Sequence, residues 1–270
     1  MPLPSPVNAV ALLWIHRRFV WSLTLTGVSS RYRTSWFGLF WPVIHPVLLI
    51  GVFTFVFAYV MPLRWVSEES GGVGFPLFLY SGFLVFTFFA DVVSRAPTLV
   101  LENTNLVKKV VFPLEVLAMV SACTSLLFFA VNLGVFSVFL ALLGPGLPWF
   151  TPVLLGLFIP FALFLIGVAW FLSALTVYVR DVTHVIGIFV TAMMFFSPVF
   201  YPLSSAPEPV RAALSLSPLT IVIEGIRAVA FDHVLPDGGD MLILWIGSLA
   251  VFYLGYLWFQ RVKEGFSDVL

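Results

Sequence analysis

Charge is what this sequence has least of. Its 13 Lys+Arg and 13 Asp+Glu make up only 10% of the chain, against about a quarter in soluble domains. A mean hydropathy of +1.08 with 61% hydrophobic residues excludes a water-soluble fold. The charges balance to zero, so the strongly basic face of a nucleic-acid binder is missing too. A single cysteine, Cys123, cannot close an internal disulfide, and in its apolar run it reads as packing. The only lysines are Lys108, Lys109 and Lys263, and none follows a glycine. That removes the Gly-Lys-Ser/Thr phosphate cradle of P-loop ATPases. His-Glu-x-x-His and Gly-x-Ser-x-Gly are also absent, which excludes the common metalloprotease and serine-hydrolase signatures.

What is present is uninterrupted apolar sequence. Thr34 to Leu63 and Val116 to Val179 contain no Asp, Glu, Lys or Arg, and the second run is broken only by Gly144-Pro145-Gly146-Leu147-Pro148. Because a helix needs roughly 20 apolar residues to cross about 30 Å of hydrocarbon, the bilayer is this protein's main solvent. Charge gaps mark six spans: Trp36–Met61, Phe75–Ser94, Leu114–Leu143, Trp149–Val179, Val185–Tyr201 and Met241–Gln260. The expected fold is all-α and polytopic.

The first 33 residues form a separate N-terminal unit. Val7 to Leu23, with Trp14, Phe19 and Trp21 among its apolar residues and His16-Arg17-Arg18 interrupting them, reads as a helix lying in the membrane interface. Its charges do not precede the apolar stretch as a signal peptide's would. With the N-terminus inside, ten Lys and Arg fall on the cytoplasmic side and three outside. This positive-inside bias makes both termini cytoplasmic.

Intramembrane charge costs on the order of 3 kcal/mol, so ion-coupled carriers that keep it use it. Here Asp91 is the one acid within the spans, Glu115 being taken with the preceding connection, and Asp91 sits where it can reach headgroups or water. His45 has no second ligand at metal spacing. An ion-coupled carrier is therefore disfavoured, as is a membrane-embedded glycosyl or lipid transferase, which needs acidic or His clusters at the membrane edge.

Two connections remain informative. Arg95 to Glu115 is a short amphipathic piece suited to docking in a partner's groove, and Tyr178 to His184 places Arg180 beside Asp181. Read from the residues alone, snorkelling anchors explain both slightly better. Between the last two spans, Pro198, Pro202, Pro207, Pro209 and Pro218 cut the outer region into short pieces. Helices near Glu208–Leu216 and Leu219–Phe231 could fold back into the outer leaflet as a gate.

Several motifs, in order, resemble the permease subunits of ABC-2 type exporters, and among them those for O-antigen, capsular or teichoic-acid polysaccharides. They are Arg31 to Pro42 followed by Pro46, Asn105 to Glu115, Tyr178 to Asp181, Ser197 to Pro202, Pro218-Leu219-Thr220 and Glu224 to Arg227. Ser217 stands where relatives often carry Asn, and Ser also caps helices. The resemblance makes residues 34–270 a six-helix transmembrane domain of that type. It implies a cytoplasmic (inner) membrane homodimer with two separate ATPase subunits that bind ATP and magnesium, so that this chain needs no cofactor and does no catalysis. Its cargo is then a polysaccharide on an undecaprenyl diphosphate carrier, with a drug or small lipid as the rival cargo.

On that basis Glu102, Asn105, Leu106, Lys108, Lys109, Arg180, Asp181 and His184 are expected to meet the ATPases. Arg31 and Arg33 are candidates for the diphosphate, because guanidinium forks match phosphate oxygens. Tyr32, Trp36, Phe40, Trp41, Phe200 and Tyr201 are candidates for a glycan path, since aromatic rings offer flat apolar faces to sugars. Pro198, Pro218, Glu224 and Arg227 are the candidate outward gate.

Overall fold

The computed structural model describes residues 14–32, 36–60, 74–105, 112–144, 146 and 151–270. Among them the regular elements are all helical. Helix α1 (Arg17–Tyr32) runs nine residues past the expected Leu23 boundary, while Val7 to Leu13 lie outside the described residues. Trp14, Phe19 and Trp21 are exposed as an interfacial face requires, but Val20 and Thr24 are buried. Gly27 explains the change of role: a Cβ there would stand 3.1 Å from Thr124 Oγ1, so its absence lets the second half of α1 dock against a long helix, α5 (Glu115–Leu143).

Helix α2 (Trp41–Thr54) starts later than the first predicted span, because Trp36 to Phe40 form a turn and a short 3-10 helix through Gly38, whose φ is +47°. Pro42 occupies the first turn, where its missing N–H costs nothing, whereas Pro46 falls inside the helix and removes one backbone bond. The chain continues as a π turn, Phe55–Val60. Helix α3 (Gly74–Arg95) is the most buried of the long helices and packs on α2 and α5. After the short α4 (Thr98–Leu101) and α5 come α6 (Leu155–Tyr178) and α7 (Val182–Phe196).

The densest helix contact joins α6 to α10 (Gly238–Val262). Gly167 and Gly255 face each other, and a Cβ on either would collide with the other helix's backbone. Small residues permit such close approach where both helices are surrounded by apolar solvent. Asp237 caps α10, accepting from the backbone N–H of Gly239 at 2.9 Å and of Asp240 at 3.2 Å.

Among the described residues four helices meet the length and apolarity of a membrane span: Gly74–Arg95, Glu115–Leu143, Pro152–Tyr178 and Gly238–Gly265. Their bounds lie within three residues of the charge-gap spans, except that the last helix runs five residues past Gln260. The predicted first and fifth spans are shorter apolar helices, Trp41–Phe57 and Val182–Phe196. The fifth stops at Phe196 instead of Tyr201 because Ser197 turns extended ahead of Pro198. Between α7 and α10, α8 (Glu208–Leu214) and α9 (Pro218–Arg227, continuing as a π turn to Asp232) meet at a 97° bend. Ser217 occupies the N-cap position of α9 without a side-chain capping bond.

Candidate functional site: the basic end and the bent helix pair

One end of the bundle collects Arg31, Arg95, Arg180 and Lys263. There Asp91, far from being a free surface acid, joins three helices. It pairs with Arg31 of α1 at 2.7 Å and with Arg95, one turn on, at 2.9 Å, and it accepts a hydrogen bond from Ser125 of α5. Arg31 also lies over the Phe128 ring, 4.6 Å from its centroid. Two cavities share Arg31. The smaller, about 150 Å³, reaches inward past His45 and Asn132; the larger, about 640 Å³, opens between α1, α4 and the start of α5. Arg33, the second diphosphate candidate, lies outside the described residues.

The first connection leaves α3 through Pro97 into α4, whose Val100 is buried. Glu102 and Asn105 are exposed just beyond it, while Leu106, Lys108 and Lys109 lie outside the described residues. The second connection is only Val179 to Asp181, because Val179 leaves helical geometry and α7 starts at Val182. Arg180, Asp181 and His184 are all exposed on this turn. Among the described residues neither Arg180 nor Asp181 has an ion-pair partner, and both are exposed.

Sequence reasoning overlooked a third cluster. Glu115, 5% exposed, accepts from Gln260 Nε2 at 2.6 Å and pairs with Lys263, and the indole N–H of Trp170 donates to its backbone carbonyl at 2.9 Å. Partners 145 and 148 residues apart carry no local signal. The available clue was an acid and a lysine beginning and ending spans at equal depth.

The bent pair is organised by Arg227, which is 3% exposed. Its guanidinium donates to the carbonyls of Val199 at 2.9 Å and Tyr201 at 3.2 Å, pairs with Glu224 at 2.8 Å, and lies 3.8 Å from the Phe78 centroid. Gly82 of α3 makes room, since a Cβ there would stand 2.9 Å from Arg227 Nη2. Glu224 and Arg227 are thus brought together with the buried Pro198 turn, whereas Pro218 starts α9 on its own. Tyr201 donates to the Phe196 carbonyl at 3.0 Å, and burial pushes its phenol above the ordinary value, which keeps it a donor.

The aromatic candidates fall into two groups. Trp36 and Phe40 are exposed beside Trp41 at the start of α2, and Phe200 and Tyr201 adjoin the Arg227 cluster. Of Tyr32 only the backbone, closing α1, is described.

An apolar helical bundle with exposed polar turns at one end and a bent helix pair at the other defines a membrane protein built around helix termini. The chain belongs to the ABC-2 type transporter family, whose profile matches residues 18–231. It is 26% identical over 267 residues to the O-antigen export system permease protein RfbA of Myxococcus xanthus, covering 97% of this chain and 99% of that one. A protein of the same name from Klebsiella pneumoniae is 24% identical over 250 residues, covering 92% and 93%.

Proposed function

We propose that this chain is the permease of an ABC exporter that moves an O-antigen-like polysaccharide, linked to undecaprenyl diphosphate, across the cytoplasmic (inner) membrane. The observation that carries this reading is similarity along the whole length of relatives named as O-antigen export permeases. Two copies pair with two ATPase subunits, which bind ATP and magnesium. The basic end faces the cytoplasm, as the positive-inside bias favours, and α2 and α7 complete six crossings.

Glu102, Asn105, Leu106, Lys108, Lys109, Arg180, Asp181 and His184 meet the ATPases. The exposure of Arg180, Asp181 and His184, with no ion partner for the first two among the described residues, supports that assignment. Arg31, with Arg33, receives the diphosphate by exchanging the Asp91 carboxylate for phosphate oxygens. Tyr32, Trp36, Phe40 and Trp41 lead the glycan in, and Phe200 and Tyr201 lead it out. The exit is gated by Glu224 and Arg227 with the Pro198 and Pro218 turns.

The test is movement of a lipid-linked glycan into inverted membrane vesicles containing the chain, with and without its ATPase. Uptake that requires both the ATPase and ATP is expected. Uptake of a drug or short lipid instead of the glycan would transfer the reading to the smaller cargo, and uptake without any ATPase would contradict it.

A further inference from the structure

The two connections are tied to one another by the packing of α4 and α5 on α6, and again through the last helix, by two unlike contacts. Helix α5 begins at Glu115, directly after the first connection, and α6 ends at Tyr178, directly before the second. At Tyr178 the tie is close. Its hydroxyl donates to the Val262 carbonyl at 3.0 Å, Gly265 leaves room for the phenol, and the fully buried Phe266 packs against both Tyr178 and Phe259. Together with the Gly167–Gly255 seam this makes α6 and α10 one rigid body.

At Glu115 the tie is made by side chains. The backbones of α5 and α10 hardly approach one another. The gap is bridged by Glu115, which Gln260 and Lys263 hold from the other side. A carboxylate this buried is tolerated while paired and strongly disfavoured when its partner leaves. The contact is therefore either made or broken, and long flexible side chains allow both states.

We infer that Glu115, held by Gln260 and Lys263, is a positioning residue for transport: a strut that passes displacement of the first connection to the α6–α10 body, which carries the second. This rests on the reading that both connections receive force from an ATPase. Two connections pushed by separate nucleotide-driven contacts must move in step if both are to act on one bundle, and the strut adds to the packing of α4 and α5 on α6 a link that can be made or broken. Motion is conveyed only if the contact differs in free energy between the two states, and an all-or-none buried ion pair meets that condition.

The experiment uses the whole complex of this chain with its ATPase in proteoliposomes and compares Glu115→Gln, Lys263→Met and Lys263→Arg. Assembly, ATP hydrolysis and glycan moved per ATP are measured together. The first two variants should assemble and hydrolyse ATP, yet move about tenfold less glycan per ATP. Lys263→Arg, which keeps the charge, should restore the ratio. An unchanged ratio in Lys263→Met, or a Lys263→Arg as defective as Lys263→Met, overturns the strut. Should Glu115→Gln fail to assemble, Lys263→Met decides, because that side chain is 32% exposed and Gln260 still donates to the carboxylate without it.

If the wild-type complex moves no glycan, the cargo reading fails and the strut is still tested without cargo. Spin labels at Ser94→Cys and Val179→Cys, exposed positions outside the residues assigned to the ATPase contact, in a Cys123→Ser background, report the ATP-driven distance change between the connections. Lys263→Met should decouple the two labels, and an identical distance change in that variant contradicts the inference.

Discussion

The two ends of the bundle hold their buried charges by different means. At the basic end, Asp91 and Glu115 are satisfied by side chains from other helices: Arg31 and Ser125 for the first, Gln260 and Lys263 for the second. At the opposite end, Arg227 is held largely by the backbone carbonyls of Val199 and Tyr201. Side-chain partners can rotate away and be exchanged, whereas backbone carbonyls move only if the chain itself moves. The basic end can therefore rearrange by exchanging partners, while the Val199–Tyr201 turn moves only as a unit with α9.

The sharpest way to break this contrast is Arg227→Ala. It strands two carbonyls and Glu224, and should cost about 3–5 kcal/mol, the range for removing one member of a buried pair. Thermal unfolding in detergent measures it, and Arg227→Lys should recover only part of the loss because an ammonium cannot reproduce the planar fork. A loss no larger than that of a surface substitution would mean that the turn is held by something else.

Next in size, Gly255→Leu forces apart the seam between α6 and α10 and should cost about 1–3 kcal/mol by overpacking. The same unfolding assay reads it. Since the seam lies between the two ends, its loss should disturb both equally.

Asp91→Asn should cost less than Arg227→Ala, about 1–3 kcal/mol for hydrogen bonds to a charged group, because Arg31 can turn toward the larger cavity. Equal losses for Asp91→Asn and Arg227→Ala would erase the distinction between exchangeable and fixed partners.

The smallest effect on stability is expected for the charge exchange Arg180→Glu with Asp181→Arg, within about 0.5 kcal/mol, as for surface positions generally. The same double variant should weaken binding of the ATPase, read by co-purification. Intact binding would return this turn to the role of a lipid anchor.

Much of this was legible in the sequence, and what was missed has a common cause. Charge gaps located the long helices well because lipid excludes charge over a fixed thickness, so both ends of α3, α5, α6 and α10 are set by that thickness. The two short helices of the outer region were also legible, from the prolines that delimit them. The N-terminal helix was drawn too short because Gly27 and Thr24 lack the amphipathic pattern of an interfacial face and instead serve packing on α5. Within the candidate site, exposed turns such as Arg180 to His184 could be read locally. The Arg31–Asp91 and Glu115–Lys263 pairs could not, since each depends on which helices become neighbours, and nothing within a single apolar run encodes that. Gly167 and Gly255 likewise gained meaning only once opposed.

The most direct test of the account is transport by the purified chain reconstituted in liposomes, alone and together with its ATPase, with the lipid-linked glycan as cargo. The account predicts ATP-dependent movement only when both subunits are present. Movement of the glycan against its gradient by this chain alone would contradict it.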